Sequence, residues 1–295
     1  MFRLLFQGNA HIIEMTMKRQ ATPTLIGKAA KWLVPLAAIT VFSGWLFVAP
    51  PGILGKADAV GYAVCHRIEA RSFHLGERQM PLCARCSGTF TGAALGLIFQ
   101  IASGRKRAGL PPARVILPLA LLAVAFGVDG SNSYLYLVKA TYPGALAHIP
   151  NLYTPQNWLR LLTGSGMGLA MAAGLYPVFN QTVWQAFDPR PPLDGWRKLG
   201  LLLGVTLLID LGILSEHPII LYPIALISPA GVLALLTMIF TMVWVMIMRQ
   251  ENAFASIRQM GLPLTAGFTL ALIMILSIDL FRFWLTGTWG GFPLG

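Results

Sequence analysis

Charge is scarce in this sequence: Asp, Glu, Lys and Arg make up only 11% of its 295 residues, whereas 56% are hydrophobic. Soluble chains carry about a quarter charged residues, so a soluble domain is excluded and a bilayer-embedded chain is implied. Acids are the scarcest of all, 11 against 22 Lys and Arg, which leaves a net charge of +11. The cations sit in short segments beside apolar runs and are not gathered on one face, so nucleic acid is not expected as a partner. There is no His-Glu-x-x-His, no glycine-rich phosphate loop and no Ser-His-Asp spacing, which removes the commonest hydrolase and nucleotide chemistries. No repeat relates the two halves, so inverted-repeat transport has no support. Nor does the start resemble a cleavable signal, since Met1 to Lys31 is polar and mixed and lacks a small-residue cleavage site. Met15 and Met17 are alternative starts.

What is there is length. A helix crosses hydrocarbon with about 20 apolar residues. Seven spans are expected, at about 32–50, 84–103, 115–137, 158–179, 198–214, 229–248 and 262–285, giving an all-α, polytopic transmembrane bundle with the lipid bilayer as its surroundings. Pro218 to Pro229 is apolar but too short to cross and is interrupted by Pro223, so it reads as a re-entrant or half-span element. With the N-terminus cytoplasmic, the inside segments hold Arg3, Lys18, Arg19, Lys28, Lys31, Arg105, Lys106, Arg107, Arg114, Arg190, Arg197, Lys198, Arg249 and Arg258. The outside segments hold only Lys56, Arg67, Arg71, Arg78 and Lys139, as the positive-inside rule requires. The organisation expected is a cytoplasmic segment 1–31, a membrane domain 32–180 and additional C-terminal helices 181–295, in a multi-pass protein of the cell membrane.

All three cysteines fall in one stretch, Cys65-His66-Arg67 to Leu82-Cys83-Ala84-Arg85-Cys86, within a loop of 50–82 and the mouth of the second span. Cys83 and Cys86, at i and i+3, share one helical face, and the chain from Cys65 is long enough to fold back onto them. Two chemistries fit. Cys65, Cys83, Cys86 and His66, with His74 as the alternative ligand, would make a closed tetrahedral metal site, with zinc as the metal such donors favour. Alternatively, Cys-x-x-Cys at a helix N-terminus beside Arg85 lowers a thiol pKa and suits redox work, with a disulfide plausible in an outer compartment.

Ionisable groups inside spans are expensive and mark function by default. Asp129 and Asn132 share one side of the third span; Asn157 and Arg160 open the fourth. Asp129 and Arg160 lie in the outer half at the depth of Arg85, and the expectation is that they meet. With Arg71 they outline an outward-opening polar pocket, Arg85 and Arg160 seeking anions and Asp129 as countercharge; the plainer reading is an ion pair that fixes helix register. Asp210, Asp279 and Arg282 are expected to snorkel or pair locally, Asp279 with Arg282 at i and i+3. Gly88, Gly92 and Gly96 on the second span, and Gly164 and Gly168 on the fourth, suit close helix packing, within the chain or between copies. Trp32, Trp45, Trp158 and Trp284 are expected as interface anchors.

These residues carry a resemblance. Cys65-His66, Arg71-Ser72-Phe73, Leu82-Cys83-Ala84-Arg85-Cys86-Ser87-Gly88 with Gly92, then Asp129-Gly130, Asn157, Leu159-Arg160 and Thr163-Gly164 are similar to a family of predicted bacterial and archaeal membrane proteins, the domain of unknown function numbered twenty eighty-five. The similarity spans about 58 to 175. It implies a shared site and names no reaction. This sequence departs from it by further spans after Lys198 and by Asn132 or Ser133 where a glutamine is expected after Asp-Gly.

Three function classes follow: an accessory subunit stapled by zinc, with a membrane-protein partner or a second copy of the chain; an enzyme acting on a lipid-linked or quinone substrate; or a transporter of ions or small anions. A thiol redox protein is the further alternative. Enzyme status is left open.

Overall fold

The structure, a computed structural model, describes residues 25–142, 144 and 146–291, with side chains from 29 onward. Arg3, Lys18 and Arg19, most of the expected segment 1–31 and the alternative starts at Met15 and Met17 lie outside the described residues.

The described residues form an all-α membrane bundle. Its helices are α1 (Leu25–Val48), α2 (Gly52–Val64), α3 (Ala84–Ser103), α4 (Ala113–Thr141), α5 (Asn157–Val183), α6 (Trp196–Leu214), α7 (Pro218–Ile247) and α8 (Gly261–Thr286). All but α2 and α6 are long and apolar enough to cross a membrane, and the chain is a multi-pass membrane protein. Helix α6 carries Arg197, Lys198 and Asp210 and so falls outside that set of six. It nonetheless traverses the bundle, since Leu199 packs near Val115 at one end and Ile213 near Phe73 and Met80 at the other. Arg105, Lys106, Arg190, Arg249 and Arg258 lie at helix ends on one side, the basic face; the cysteines lie on the opposite side, the cysteine face.

Two expectations fail here. Residues 218–229 are not a re-entrant element; they begin the continuous 30-residue helix α7, which runs through Pro223 and Pro229. Proline inside a membrane helix forfeits one backbone bond but survives where neighbouring helices support the backbone. The 50–82 segment is not all loop: Pro51 and Gly52, the latter at φ 78°, turn the chain into the 13-residue helix α2, and strands β1 (His74–Leu75) and β2 (Arg78–Gln79) pair about a turn at Gly76.

Helices α3 and α5 make the tightest contact, and glycine permits it. A Cβ on Gly88 would stand 2.3 Å from the Leu161 carbonyl oxygen, one on Gly164 2.2 Å from that of Arg85, and one on Gly168 2.0 Å from that of Thr89. The small-residue stripes thus serve packing within the chain. Around this pair, α7 packs on α3, and α8 packs on α1, α2 and α7. Trp32, Trp158 and Trp284 are exposed, whereas Trp45 is buried in the core with Val60, Val232 and Leu272.

Candidate metal centre and polar pocket

The three cysteines converge from separate backbone positions. Cys65 caps the C-terminus of α2, Cys83 is the N-cap of α3 and Cys86 sits in its first turn. Their sulfurs all lie within 4.8 Å of one another, and none is in a disulfide. A zinc-type ion at about 2.3 Å from each sulfur would place tetrahedral ligands about 3.8 Å apart, so the donor set fits with a contraction of at most about 1 Å. Two backbone N–H groups, of Arg67 at 3.4 Å and Cys83 at 3.3 Å, donate to Cys65 Sγ. Such bonds favour thiolate. Cys83 is the thiol held well below its ordinary range, because Cys65 and Cys86 hydrogen-bond to it and Arg85 lies nearby; the same bond with Cys83 pushes Cys65 up to about 12.

Neither histidine belongs to this cluster. His66 is exposed, and His74 faces Glu69 at 3.9 Å from the outer hairpin. The local chain explains this: Arg67, two residues after Cys65, adopts φ 51°, which turns the segment sharply, and Gln79 Nε2 ties its carbonyl to the hairpin at 2.8 Å.

The support comes from residues far away in sequence. Arg282 on α8 donates from Nη1 to the carbonyls of Tyr62 and Cys65, both at 2.6 Å, and from Nη2 to that of His66 at 3.2 Å; its guanidinium also lies over the Tyr62 ring at 4.0 Å. It therefore caps α2 and holds the cysteine turn. Both oxygens of Asp279 are buried without a hydrogen-bond partner. Asp58 on α2 takes Arg67 at 3.0 Å and also Arg78, which fastens the hairpin to the helix.

Beside the cysteines lies the polar pocket, wired differently from expectation. Asp129 is paired with Arg85, Nε to Oδ2 at 3.2 Å, and not with Arg160. Arg85 Nη2 also reaches the Asp129 carbonyl at 3.1 Å and Ser133 Oγ at 2.9 Å. Tyr153 donates its hydroxyl to Asp129 Oδ1 at 2.9 Å, and the Thr163 hydroxyl, which donates to the Leu159 carbonyl at 2.8 Å, stands 3.4 Å from Oδ2. Arg160 turns the other way, Nη1 to Asn157 Oδ1 at 2.7 Å, and its buried Nε has no hydrogen-bond partner. Arg71 completes the group, donating to the Ser133 carbonyl at 3.4 Å; its own burial and the adjacent Arg85 guanidinium lower its pKa. Asn132 faces away and staples the following loop, donating to the Tyr153 carbonyl and accepting from Leu152 N, each at 2.9 Å. Asn157 Nδ2 reaches back to the Ala70 carbonyl at 3.4 Å. Elsewhere, Asp210 is buried and accepts from Ser165 Oγ at 2.8 Å, instead of snorkelling.

Tyr153 was absent from the sequence reading, and nothing local marks it, since it lies in an irregular loop between α4 and α5. Burial and its bond to Asp129 push its phenol up to about 12.

Cysteine cluster, Arg85–Asp129 and the opening of α5 all fall in one stretch, and comparison with known proteins finds similarity there. Residues 65–173 match the family described as predicted membrane protein (DUF2085). An uncharacterized protein of Methanocaldococcus jannaschii is 26% identical over 168 residues, which cover 53% of this chain and 97% of that protein. No solved structure matches. The matched segment contains every cysteine together with Arg71, Arg85, Asp129 and Arg160, while Arg282 lies outside it.

Proposed function

We propose that the chain is a membrane metalloprotein in which Cys65, Cys83 and Cys86 hold a zinc-type ion at the cysteine face, and in which Arg71, Arg85 and Arg160 draw an anionic group towards it. The observation that carries this reading is the convergence of three sulfurs within 4.8 Å, from two helix ends and a helical turn. Three thiolates without a histidine leave a fourth coordination position for water or an exogenous ligand, the pattern of an open site. Three guanidiniums against the single carboxylate Asp129 leave an excess of positive charge beside that position, and the partnerless Arg160 Nε is a donor available to an anion. A bound ion would supply Lewis acidity; the residues would orient the anion, and Arg282 would keep Cys65 in place.

A second reading, thiol exchange with Cys83 as nucleophile, is favoured by the depressed Cys83 thiol. Elemental analysis with thiol titration on detergent-purified protein separates the two. The expected result is about one zinc per chain, with the thiols reacting only after chelation and Cys83→Ser losing the metal. Metal-free protein whose three thiols titrate at once would refute the metal reading and favour redox work.

A further inference from the structure

A second site lies on the opposite side of the molecule. A cavity of about 810 Å³ opens between α3, α5 and α7 and reaches the basic face, where Arg105 and Lys106 stand at its mouth. The size is that of a small-molecule pocket.

The helices create it in a simple way. At Gly231, itself in the lining, a Cβ would stand 2.3 Å from the Phe90 carbonyl oxygen, so α7 and α3 touch backbone to backbone there and form one wall of the cleft. Around that contact the wall positions Ala94, Ala230 and Ala234 are too small to fill the space between these helices. Ile98, Ile101 and Ile227 line the cleft with exposed apolar side chains. Along α7 the lining runs from Ile227 to Met238, about 16 Å at 1.5 Å per residue, and on the α3 side it continues from Ala94 to Lys106, so the apolar wall extends from mid-membrane to the basic face.

The mouth supplies the charge. Arg105 is exposed, while Lys106 donates to the Ala255 carbonyl at 2.7 Å and stands over the Trp184 ring at 4.6 Å, which fixes its ammonium at the rim. An apolar slot that ends in two cations at the basic face is complementary to an acyl chain joined to a phosphate. We propose that this cleft binds one anionic phospholipid from the leaflet on the basic face, a chain between α3 and α7 and the phosphate at Arg105 and Lys106. The site is independent of the cysteine centre.

Native mass spectrometry of the full chain tests this with phosphatidylglycerol and phosphatidylcholine titrated separately. Each surface cation contributes about a fivefold preference for the anionic lipid. Wild type is expected to retain one phosphatidylglycerol at least tenfold more tightly than phosphatidylcholine. Arg105→Gln should lower that preference about fivefold; Ala234→Phe, which fills the slot, should abolish retention of either lipid; Arg258→Gln, on the same face but outside the cleft, should change neither. Equal retention of both lipids by wild type, or an equal loss in Arg105→Gln and Arg258→Gln, would overturn the proposal. Should Ala234→Phe not fold, the Arg105 and Arg258 pair alone decides.

Discussion

Replacing Gly168 by Ala places a methyl group 2.0 Å from the Thr89 carbonyl oxygen and 2.6 Å from Ala93 N, both backbone atoms of α3. Ordinary contact needs about 3.5 Å, so the two helices must part by more than about 1 Å, and neither obstacle can rotate away. Overpacking of this kind costs about 3 kcal/mol, at the upper end of such substitutions. That should lower the thermal midpoint of the detergent-solubilised protein by about 6 °C or more. Gly174→Ala is the matched control: the same helix and the same substitution, but with nothing within 4 Å of the new methyl. There the better helix propensity of alanine should leave the midpoint unchanged or slightly raised. Because α3 carries Cys83, Arg85 and Cys86 while α5 carries Arg160 and Thr163, the Gly168 variant should also expose its thiols to alkylation faster. Equal midpoints for the two variants would refute the claim that α3 and α5 meet backbone to backbone.

Removing Asp129 leaves Arg85 without its countercharge at a buried site, so Asp129→Asn should destabilise by about 3 kcal/mol, and Arg85→Gln combined with it should cost less than the sum of the two singles. Additive losses in a thermal double-mutant cycle would mean that the pair does not interact. The Tyr153 phenol, pushed up to about 12, holds its proton more tightly when folded. Its contribution is full below the ordinary value near 10 and is lost as pH rises towards 12, so Tyr153→Phe should flatten the stability profile across that window, followed by ultraviolet phenolate absorbance. Arg282→Gln should weaken zinc binding by about tenfold or more in competition with a chromogenic chelator, as loss of a supporting hydrogen-bond shell does, while leaving the Arg85–Asp129 pair intact. Unchanged affinity would remove Arg282 from the support of the cysteine turn.

Much of the bundle was legible because hydropathy length is a local signal. Helix α3 was expected at 84–103 and occupies Ala84–Ser103, bounded by the extended Cys83 and by Gly104 at φ 155°. Helix α2 was missed because 13 residues rich in small side chains reach neither the length nor the apolarity of a span. Prolines 223 and 229 misled for a different reason: their cost in a helix depends on neighbours that only the fold supplies. Within the site, position along the spans brings Arg85 and Asp129 to one level, but it does not say how each helix is rotated about its axis. That rotation decides which guanidinium meets the carboxylate. Arg282 is 217 positions from Cys65, and no local pattern could join them.

That long connection has a bearing on how the protein matures. The sulfurs all lie before residue 90, yet the guanidinium that caps their turn is carried by α8, and Trp289 and Gly291 beyond it fold over Arg67, the Trp289 carbonyl accepting from Arg67 Nη1 at 3.4 Å. During synthesis the thiols would emerge well before their clasp exists. A ribosome stalled before α8 should therefore display cysteines that are oxidised or labelled readily, and the same groups should fall silent once the final helix has inserted.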